Sequence, residues 1–309
     1  MKLAFLYAGQ GAQHVGMGRD LYEIYPAFRQ VLDSAPVDFD LKKLCFDGPE
    51  DQLNDTRYTQ PCMVAFAAGV TALLREAGIT PDYAAGLSLG EYSALQCAGV
   101  FDAKTAISLV AFRGQAMADA VQGRPCGMAA VLGMNRDALK AVCAEASDAG
   151  VVECTNFNCP GQIVISGDAA AVDKAGELAK AAGAKRVLPL KVSGPFHTSL
   201  MAPAGDALRE KFQSVDFGAM ELPVLFNCLG DLKGEADTIP NLLEQQVQSS
   251  VYLEDTIRRL GELGVDTVVE IGPGRTLSGF VKKTVKGIKC YPVETAEELQ
   301  AAIAALRGE

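Results

Sequence analysis

One serine lies in a pattern that is typical of a nucleophile. Gly86-Leu87-Ser88-Leu89-Gly90 follows a short run of small and apolar residues, and a helical pattern begins directly after it. A strand, a sharp turn and a helix in this order form a nucleophile elbow, in which flanking glycines permit the strained turn and the serine hydroxyl is exposed. The N–H groups at the helix start can stabilise a developing oxyanion. The motif therefore predicts a catalytic Ser88, with a glycine-rich turn that carries a surface serine as the alternative.

A serine hydroxyl is a weak nucleophile until a base removes its proton, and histidine is the usual base. The sequence holds two histidines, His14 and His197. His197 follows Ser88 in the chain, as the base follows the nucleophile in hydrolase-type elbows, and it lies in an irregular Gly-Pro segment. His14 lies in an early loop, where we expect it to contact solvent. His197 is therefore the candidate base, and because no carboxylate is an obvious partner, we expect a backbone carbonyl to orient its ring.

Two further polar residues interrupt segments that are otherwise apolar or rich in glycine. Arg113 lies on the apolar face of a helix predicted over residues 102–117. A buried guanidinium is costly unless an anion pairs with it, so Arg113 either binds an anion or reaches solvent at the rim of the core. Gln10 lies in the turn Gly9-Gln10-Gly11-Ala12-Gln13 after the first strand, where backbone N–H groups could hold an oxyanion. A simple turn is the alternative.

Strands and helices alternate along most of the chain, which predicts an α/β fold with a mostly parallel sheet covered by helices on both faces. The predicted strands of this body are residues 3–7, the elbow strand, and residues 222–227, 266–271 and 288–291. Residues 49–57 read as a polar loop, and residues 59–78 as a long apolar helix. Residues 124–191 show instead the order strand, helix, two strands, helix and strand, which is ferredoxin-like. We therefore predict a catalytic body of residues 1–123 and 192–309, with residues 124–191 as an inserted subdomain.

The composition limits the classes of function. The chain has 309 residues, of which 49% are hydrophobic, and its formal net charge of −10 argues against nucleic acid as a general partner. It has no apolar run of 18 residues, so we expect no membrane span, and its apolar start reads as a buried strand rather than a signal peptide. The nine cysteines form no C-x-x-C pair, which predicts reduced thiols in a cytoplasmic protein and no metal site.

These motifs together resemble a known family. The elbow, the turn at residues 9–13, Phe112-Arg113-Gly114-Gln115-Ala116-Met117 and Gly272-Pro273-Gly274 are similar to the acyltransferases of fatty acid and polyketide synthases, which include the bacterial malonyl-CoA:acyl carrier protein transacylases. The resemblance covers nearly the whole chain and implies an α/β-hydrolase-like body with a ferredoxin-like insert. It also implies that malonyl-CoA acylates a serine, which then passes the malonyl group to the phosphopantetheine thiol of acyl carrier protein for fatty acid biosynthesis. This ping-pong reaction needs no metal or redox cofactor.

The resemblance also implies roles for individual residues. Ser88 would carry the acyl group, and His197 would be its base. The backbone N–H groups of Gln10 and Leu89 would form the oxyanion hole, and Arg113 would pair with the malonyl carboxylate. The further implied contacts are the carbonyl of Gln246 on the His197 ring, and Asn156, Asn158 and Gln162 facing the cofactor arm. Beside the base, Phe196 is expected to crowd the α-carbon of the acyl group, so malonyl should be preferred over methylmalonyl.

Three positions depart from the family pattern. Leu87 stands where a histidine is usual, and Ala8 stands where a proline is usual. The usual tryptophan is replaced around Tyr252-Leu253. None of these positions carries an implied catalytic role, so we expect only the wall of the pocket to differ.

We expect the partners to be malonyl-CoA and acyl carrier protein, with no nucleic acid and no membrane, and we expect a monomer. Because acyl carrier proteins are acidic, docking on a chain of net charge −10 needs a local basic surface. The candidates are Lys185, Arg186, Lys282, Lys283, Lys286 and Lys289. Exposed lysines that form only a solvated face are the alternative.

Two other functions stay open. A serine hydrolase, such as an esterase or thioesterase, would deacylate the serine with water, and it predicts a carboxylate partner for His197 and no buried arginine. A non-catalytic module that binds a carrier protein predicts no acyl adduct on Ser88 after brief mixing with malonyl-CoA.

Overall fold

The computed structural model describes residues 1–190 and 194–308. In these residues the strands are β1 (Leu3–Tyr7), β2 (Tyr83–Gly86), β3 (Cys126–Leu132), β4 (Val152–Cys159), β5 (Gln162–Asp168), β6 (Arg186–Pro189), β7 (Leu225–Phe226), β8 (Asp231–Leu232), β9 (Thr267–Ile271) and β10 (Lys289–Val293). The α-helices are α1 (Arg19–Ile24), α2 (Pro26–Asp33), α3 (Leu41–Asp47), α4 (Glu50–Leu53), α5 (Thr56–Glu76), α6 (Gly90–Cys97), α7 (Ala103–Asp119), α8 (Arg136–Ala146), α9 (Ala169–Ala181), α10 (Ala202–Phe212), α11 (Ile239–Gln248), α12 (Leu253–Glu262), α13 (Thr276–Thr284) and α14 (Ala296–Arg307). Short 3₁₀ helices span Ser147–Ala149 and Ser199–Met201. Among the described residues, we find no helix with the length and apolar character that a membrane crossing requires.

The chain divides into two compact units. The first unit comprises Met1–Gly114, Asp216–Phe226 and Arg258–Glu309, and the second comprises Gln115–Val215 and Asn227–Ile257. The second unit is therefore larger than the predicted subdomain of residues 124–191. The predicted limit between residues 191 and 192 lies outside the described residues.

The first unit is built on a parallel sheet in the strand order β10-β9-β1-β2. All five residues of β1 are buried, as expected for a parallel strand that is covered on both faces. This confirms the predicted α/β class with a mostly parallel sheet. Tyr7 pairs with Gly86 on one side and with Ile271 on the other. The carboxyl ends of β1, β2 and β9 therefore meet at one edge, where Gln10 and Ser88 follow their strands.

The strand predicted over residues 222–227 is much shorter in the structure. It is reduced to β7 and an isolated parallel bridge between Ala84 and Val224. Pro223 has no N–H to donate to a ladder, although its carbonyl accepts from the Ala84 N–H at 3.0 Å. The proline thus limits the pairing that the apolar pattern suggested.

The second unit carries an antiparallel sheet in the order β4-β5-β3-β6. Its elements β3, α8, β4, β5, α9 and β6 follow the predicted ferredoxin-like order. Leu139 and Val142 from α8 and Ala175 from α9 form one buried core with Phe157 and Ile165 of the sheet. Helical spacing on the helices and alternation on the strands place these apolar side chains on the facing surfaces.

Residues beyond the predicted subdomain join this unit because they pair with its first strands and helix. Asn156 of β4 forms a parallel bridge with Val251, and the ring of Phe157 stacks on Tyr252 with centroids 5.2 Å apart. Arg136 of α8 donates two hydrogen bonds, of 3.0 and 2.6 Å, to the carboxylate of Asp255. These partners are far apart in the sequence, so the local pattern gives no sign of them.

The nine cysteines are free thiols, and most of them are buried. The sulfur atoms of Cys143 and Cys154 are 3.8 Å apart in the core of the second unit. Within residues 1–190 and 194–308, histidine, cysteine and acidic side chains form no group of three or more that could hold a metal ion.

Candidate active site

The serine motif forms a strained turn between β2 and α6. Ser88 has a φ of 53°, in the left-handed region that residues other than glycine rarely adopt. A Cβ atom added to Gly86 would lie 2.0 Å from the carbonyl carbon of Gly90, and one added to Gly90 would lie 2.2 Å from the carbonyl oxygen of Tyr7. Neither flanking position accepts a side chain. The predicted geometry of a strand, a sharp turn and a helix around Ser88 is confirmed.

The turn after β1 lies directly against this elbow. A Cβ atom added to Gly9 would lie 2.5 Å from the carbonyl oxygen of Leu87. The N–H groups of Gln10 and Leu89 bind no acceptor within the described part of the chain. For Leu89 the reason is its place at the start of α6, where N–H groups have no partner inside the helix. Two unused donors beside a strained serine are what an oxyanion hole requires.

Arg113 is buried in α7, with 1% of the residue exposed. Its Nη1 donates to Oε1 of Gln60 at 2.9 Å, and its guanidinium carbon lies 5.3 Å from the centroid of the Tyr92 ring. Burial lowers the pKa of Arg113, and the nearby Tyr92 and Glu91 oppose that shift only in part. The cation therefore lies where an arriving carboxylate would be bound strongly. The alternative of an arginine that reaches solvent is wrong.

Two residues that hydrogen bonds link to the guanidinium escape the sequence analysis. Thr56 and Gln60 are buried one turn apart at the start of α5, which begins at Thr56 rather than at the predicted residue 59. The Gln60 amide donates to Oγ1 of Thr56 at 2.9 Å, and the Thr56 hydroxyl donates to Oε1 of Gln10 at 2.8 Å. Asp55 could have revealed the true helix start, because its side chain caps α5. Polar residues spaced by four on a buried helix would then have drawn attention.

His197 lies in the second unit and is held by a backbone carbonyl. Its Nδ1 lies 2.7 Å from the carbonyl oxygen of Gln246 in α11, and both residues are buried. Because a carbonyl only accepts, Nδ1 carries the proton and Nε2 of the neutral ring keeps a lone pair. The contact with a carbonyl rather than a carboxylate is the one that the sequence predicted. His197 has a φ of 62°, and within the described residues only it and Ser88 have a positive φ without being glycine.

The other candidates of the second unit lie near β4 and β5 or beside the histidine. Asn156 and Asn158 are buried on β4, and Gln162 begins β5. The side-chain oxygen of Asn158 is buried and has no hydrogen-bond partner among the described residues. Such an oxygen can accept a hydrogen bond from a ligand. Phe196 is buried next to His197 in the chain.

The other histidine, His14, is paired with Glu294. Its side chain is half exposed, and its Nε2 forms a short hydrogen bond with the carboxylate of Glu294. Burial acts to lower the pKa of His14, but the hydrogen bonds with Glu294 and the carbonyl of Val15 outweigh it and raise the pKa above its ordinary value. His14 is therefore part of an ion pair as well as in contact with solvent.

The six candidate docking cations are all exposed, and they belong to different units. Lys185 and Arg186 lie at β6, the edge strand of the antiparallel sheet in the second unit. The others lie on or shortly after α13 in the first unit and are Lys282, Lys283, Lys286 and Lys289.

Comparison with known proteins gives consistent matches over the full length. The acyl transferase domain family matches residues 4–304. The malonyl CoA-acyl carrier protein transacylase of Bacillus subtilis (strain 168) is 44% identical over 311 aligned positions, which cover 100% of this chain and 98% of that protein. The crystal structure of malonyl CoA-acyl carrier protein transacylase from Clostridium perfringens superposes with a TM-score of 0.95 at 38% identity and covers 100% of this chain and 98% of its own. A malonyl-transacylase in complex with its type II PKS acyl-carrier protein gives 0.95 at 38% identity, with 100% of both chains covered.

Proposed function

Because this chain belongs to the acyl transferase domain family, as one of its malonyl CoA-acyl carrier protein transacylases, we propose that it transfers a malonyl group from malonyl-CoA to an acyl carrier protein. The intermediate would be a malonyl ester on the hydroxyl of Ser88. The observation that carries the proposal is the elbow, where Ser88 has a φ of 53° between two glycines that admit no side chain. A strained serine beside two unused N–H groups is suited to acyl transfer.

In the first half-reaction, Oγ of Ser88 attacks the thioester carbonyl while Nε2 of His197 takes the hydroxyl proton. The negative charge on the carbonyl oxygen is stabilised by the N–H groups of Gln10 and Leu89. When the carbonyl reforms, the carbon–sulfur bond breaks, and coenzyme A leaves as a thiol with the proton from His197. The phosphopantetheine thiol then attacks the ester in the reverse sense. The two steps balance without a metal or redox cofactor.

The hydrogen bond of His197 supports its role as the base. With Nδ1–H donated to the Gln246 carbonyl at 2.7 Å, the ring is held in the tautomer whose Nε2 can accept a proton. The hydrolase alternative predicted a carboxylate at this position. The carbonyl partner and the buried Arg113 both favour the transferase over that alternative.

We propose that Arg113 selects the malonyl group by its carboxylate. Burial lowers the pKa of Arg113, which means that its surroundings do not fully replace the hydration of the cation. A carboxylate would restore the missing stabilisation through a planar two-point pairing. Acetyl thioesters carry no such anion. Phe196, next to the base in the chain, is the proposed contact for the acyl group. The side-chain oxygen of Asn158 has no partner among the described residues and is the proposed acceptor for an amide of the cofactor arm. Asn156 and Gln162 are proposed as further contacts of that arm.

The proposal extends to the fold, the partner surface and the location. The elbow on a parallel sheet supports an α/β-hydrolase-like description of the body. Lys185 and Arg186 would dock the carrier protein, because they lie on an exposed edge strand that also exposes Leu188. The cations of α13, Lys282 and Lys283, and Lys286 after it, are the other candidates. A monomer and a cytoplasmic location are part of the same proposal, and cysteines without a C-x-x-C pair support the location.

Intact-protein mass spectrometry tests the proposed function. Wild type mixed briefly with malonyl-CoA should gain one malonyl group, and Ser88→Ala should gain none. The adduct should disappear quickly on addition of an acyl carrier protein that carries phosphopantetheine, with the malonyl group recovered on that protein. Loss of the adduct at the same rate in buffer alone would favour a hydrolase, and the absence of any adduct on wild type would favour a binding module.

A further inference from the structure

Four polar groups of the first unit form a continuous series of hydrogen bonds that begins at the buried cation. Nη1 of Arg113 donates to Oε1 of Gln60 at 2.9 Å, Nε2 of Gln60 donates to Oγ1 of Thr56 at 2.9 Å, and the Thr56 hydroxyl donates to Oε1 of Gln10 at 2.8 Å. Each donor points away from the guanidinium. Hydrogen bonds in such a series polarise one another, and here the polarisation starts at a full positive charge.

We propose that Thr56 is a positioning residue that joins the carboxylate-binding Arg113 to the oxyanion-binding turn at Gln10. This inference rests on the proposed function and adds a role for a residue that touches no substrate. A hydroxyl has one proton to donate and two lone pairs, so Thr56 can accept from Gln60 and donate to Gln10 at the same time. An apolar side chain of the same shape at this position would break both bonds.

The place of Thr56 in the fold makes it a rigid anchor. It is the first residue of α5, is 1% exposed, and lies one turn before Gln60, which is fully buried. The Gln10 side chain is bonded to this helix start, while the neighbouring Gly9 lies too close to the Leu87 carbonyl for any side chain. The Gln10 peptide is thus held from two sides. Its N–H direction depends on the bond from Thr56.

A second link, between the same turn and Asn54, two residues before α5, offers a matched control. The side chain of Gln13 accepts from the Gly11 N–H at 2.7 Å and donates to Oδ1 of Asn54 at 2.8 Å. These bonds are exposed to solvent and do not lead to the buried cation. If every hydrogen bond between the turn and residues 54–56 mattered equally, Asn54→Ala would act like a change at Thr56.

Acetyl-CoA separates the two functions that Thr56 joins, because it has a carbonyl for the oxyanion hole and no carboxylate for Arg113. Thr56→Val should lower the rate of Ser88 acylation about tenfold with acetyl-CoA and at least tenfold with malonyl-CoA. The loss is smaller than the roughly 100-fold to 1,000-fold that follows removal of an oxyanion donor, because the N–H is displaced and not deleted. Thr56→Ser and Asn54→Ala should stay within about twofold of wild type.

The test is single-turnover acylation of the 309-residue protein, followed by intact-protein mass spectrometry. The values of kcat and KM are resolved for each thioester, and a thermal unfolding curve is recorded for each variant. An unchanged acetyl rate in Thr56→Val would overturn the inference, since Thr56 would then serve Arg113 alone. A loss in Thr56→Ser as large as in Thr56→Val would do the same. Wild type that forms no malonyl adduct would instead refute the proposed function.

A second variant keeps the inference testable if Thr56→Val does not fold. Gln10→Ala removes the side chain that receives the last hydrogen bond and keeps the backbone N–H. It should lose acylation by about the same factor with both thioesters, and the double variant should lose no more than either single variant. Full activity of Gln10→Ala would contradict the inference, because the turn would then hold its N–H without the series.

Discussion

Replacing Arg113 by alanine should change which acyl group is transferred more than whether transfer occurs. The malonyl carboxylate can pair with a buried guanidinium at two points, and the acetyl group offers no anion for it. We therefore expect Arg113→Ala to lower kcat/KM strongly for malonyl-CoA and far less for acetyl-CoA. Removal of the guanidinium also removes the cost of burying a cation, which limits the loss for acetyl-CoA.

The structure sets the size of this effect. Arg113 is 1% exposed, and burial lowers its pKa despite the opposing influence of Tyr92 and Glu91. Truncating one partner of a desolvated charge pair costs about 2–5 kcal/mol, which is roughly 30-fold to several thousand-fold in kcat/KM. Two features favour the middle of that range. The variant removes the donor that lies 2.9 Å from Oε1 of Gln60, which adds to the loss. It also removes the cost of burying the cation before substrate binds, which reduces the loss.

The assay is single-turnover acylation by malonyl-CoA and acetyl-CoA in wild type, Arg113→Ala and Arg113→Lys. Lysine keeps the charge and loses the planar fork, so its malonyl rate should fall between the other two. Thermal unfolding of each variant controls for damage to the fold. An equal loss for both thioesters in Arg113→Ala, with the fold intact, would make Arg113 a structural residue and remove the main physical support for a dicarboxylate substrate.

Three further perturbations test the elbow, a surface ion pair and the partner surface. Gly90→Ala should lower the free energy of unfolding in denaturant titrations by about 3 kcal/mol or more, because the added Cβ atom would overlap backbone atoms. The control is Gly279→Ala in α13, where the added Cβ atom meets open space, so the free energy of unfolding should stay the same or rise by up to about 1 kcal/mol. The raised pKa of His14 means that its protonated pairing with Glu294 stabilises the fold below the ordinary pKa of 6.5 and is lost as pH rises through the higher folded-state pKa. The difference in unfolding midpoint between wild type and His14→Gln should accordingly be greater in mildly acidic than in alkaline solution, and a difference independent of pH would contradict this. Lys185→Glu should slow transfer to the carrier protein, most at low salt, and spare loading from malonyl-CoA, and equal loss of both half-reactions would reject the docking surface.

Local pattern was sufficient for the features that depend on neighbouring residues. The glycines around Ser88 indicate a turn because their lack of a Cβ atom is itself the structural requirement, and an added Cβ atom would lie only 2.0 or 2.2 Å from a backbone atom. Continuous burial of β1 follows from its unbroken apolar run. The order of strands and helices in residues 124–191 is equally local, because each element shows its own periodicity.

Features that depend on distant partners could not be found in this way. The sequence indicates that Arg113 needs a partner if it is buried, but not that Gln60, 53 positions away, accepts its hydrogen bond. Likewise, the predicted subdomain ends at residue 191, and no local pattern suggests that the distant Val251 forms a bridge with Asn156 and so belongs to the second unit. Thr56 escapes the sequence analysis for a smaller reason, since the pattern predicts a loop over residues 49–57 and a helix from residue 59, whereas α5 begins at Thr56.

Backbone strain gives a second and independent indication for the proposed catalytic residues. Ser88 and His197 have φ values of 53° and 62°, and conformations of this kind cost about 1–3 kcal/mol for residues other than glycine. They persist only where the surroundings leave no alternative. For Ser88 these are the close backbone approaches at the flanking glycines, and for His197 they include the bond to the Gln246 carbonyl at 2.7 Å. The motif argument selected a serine by its glycines and a histidine by elimination, and neither step used φ. Among the described residues that are not glycine, a positive φ occurs at the same two residues. The assignment of nucleophile and base therefore does not depend on resemblance alone.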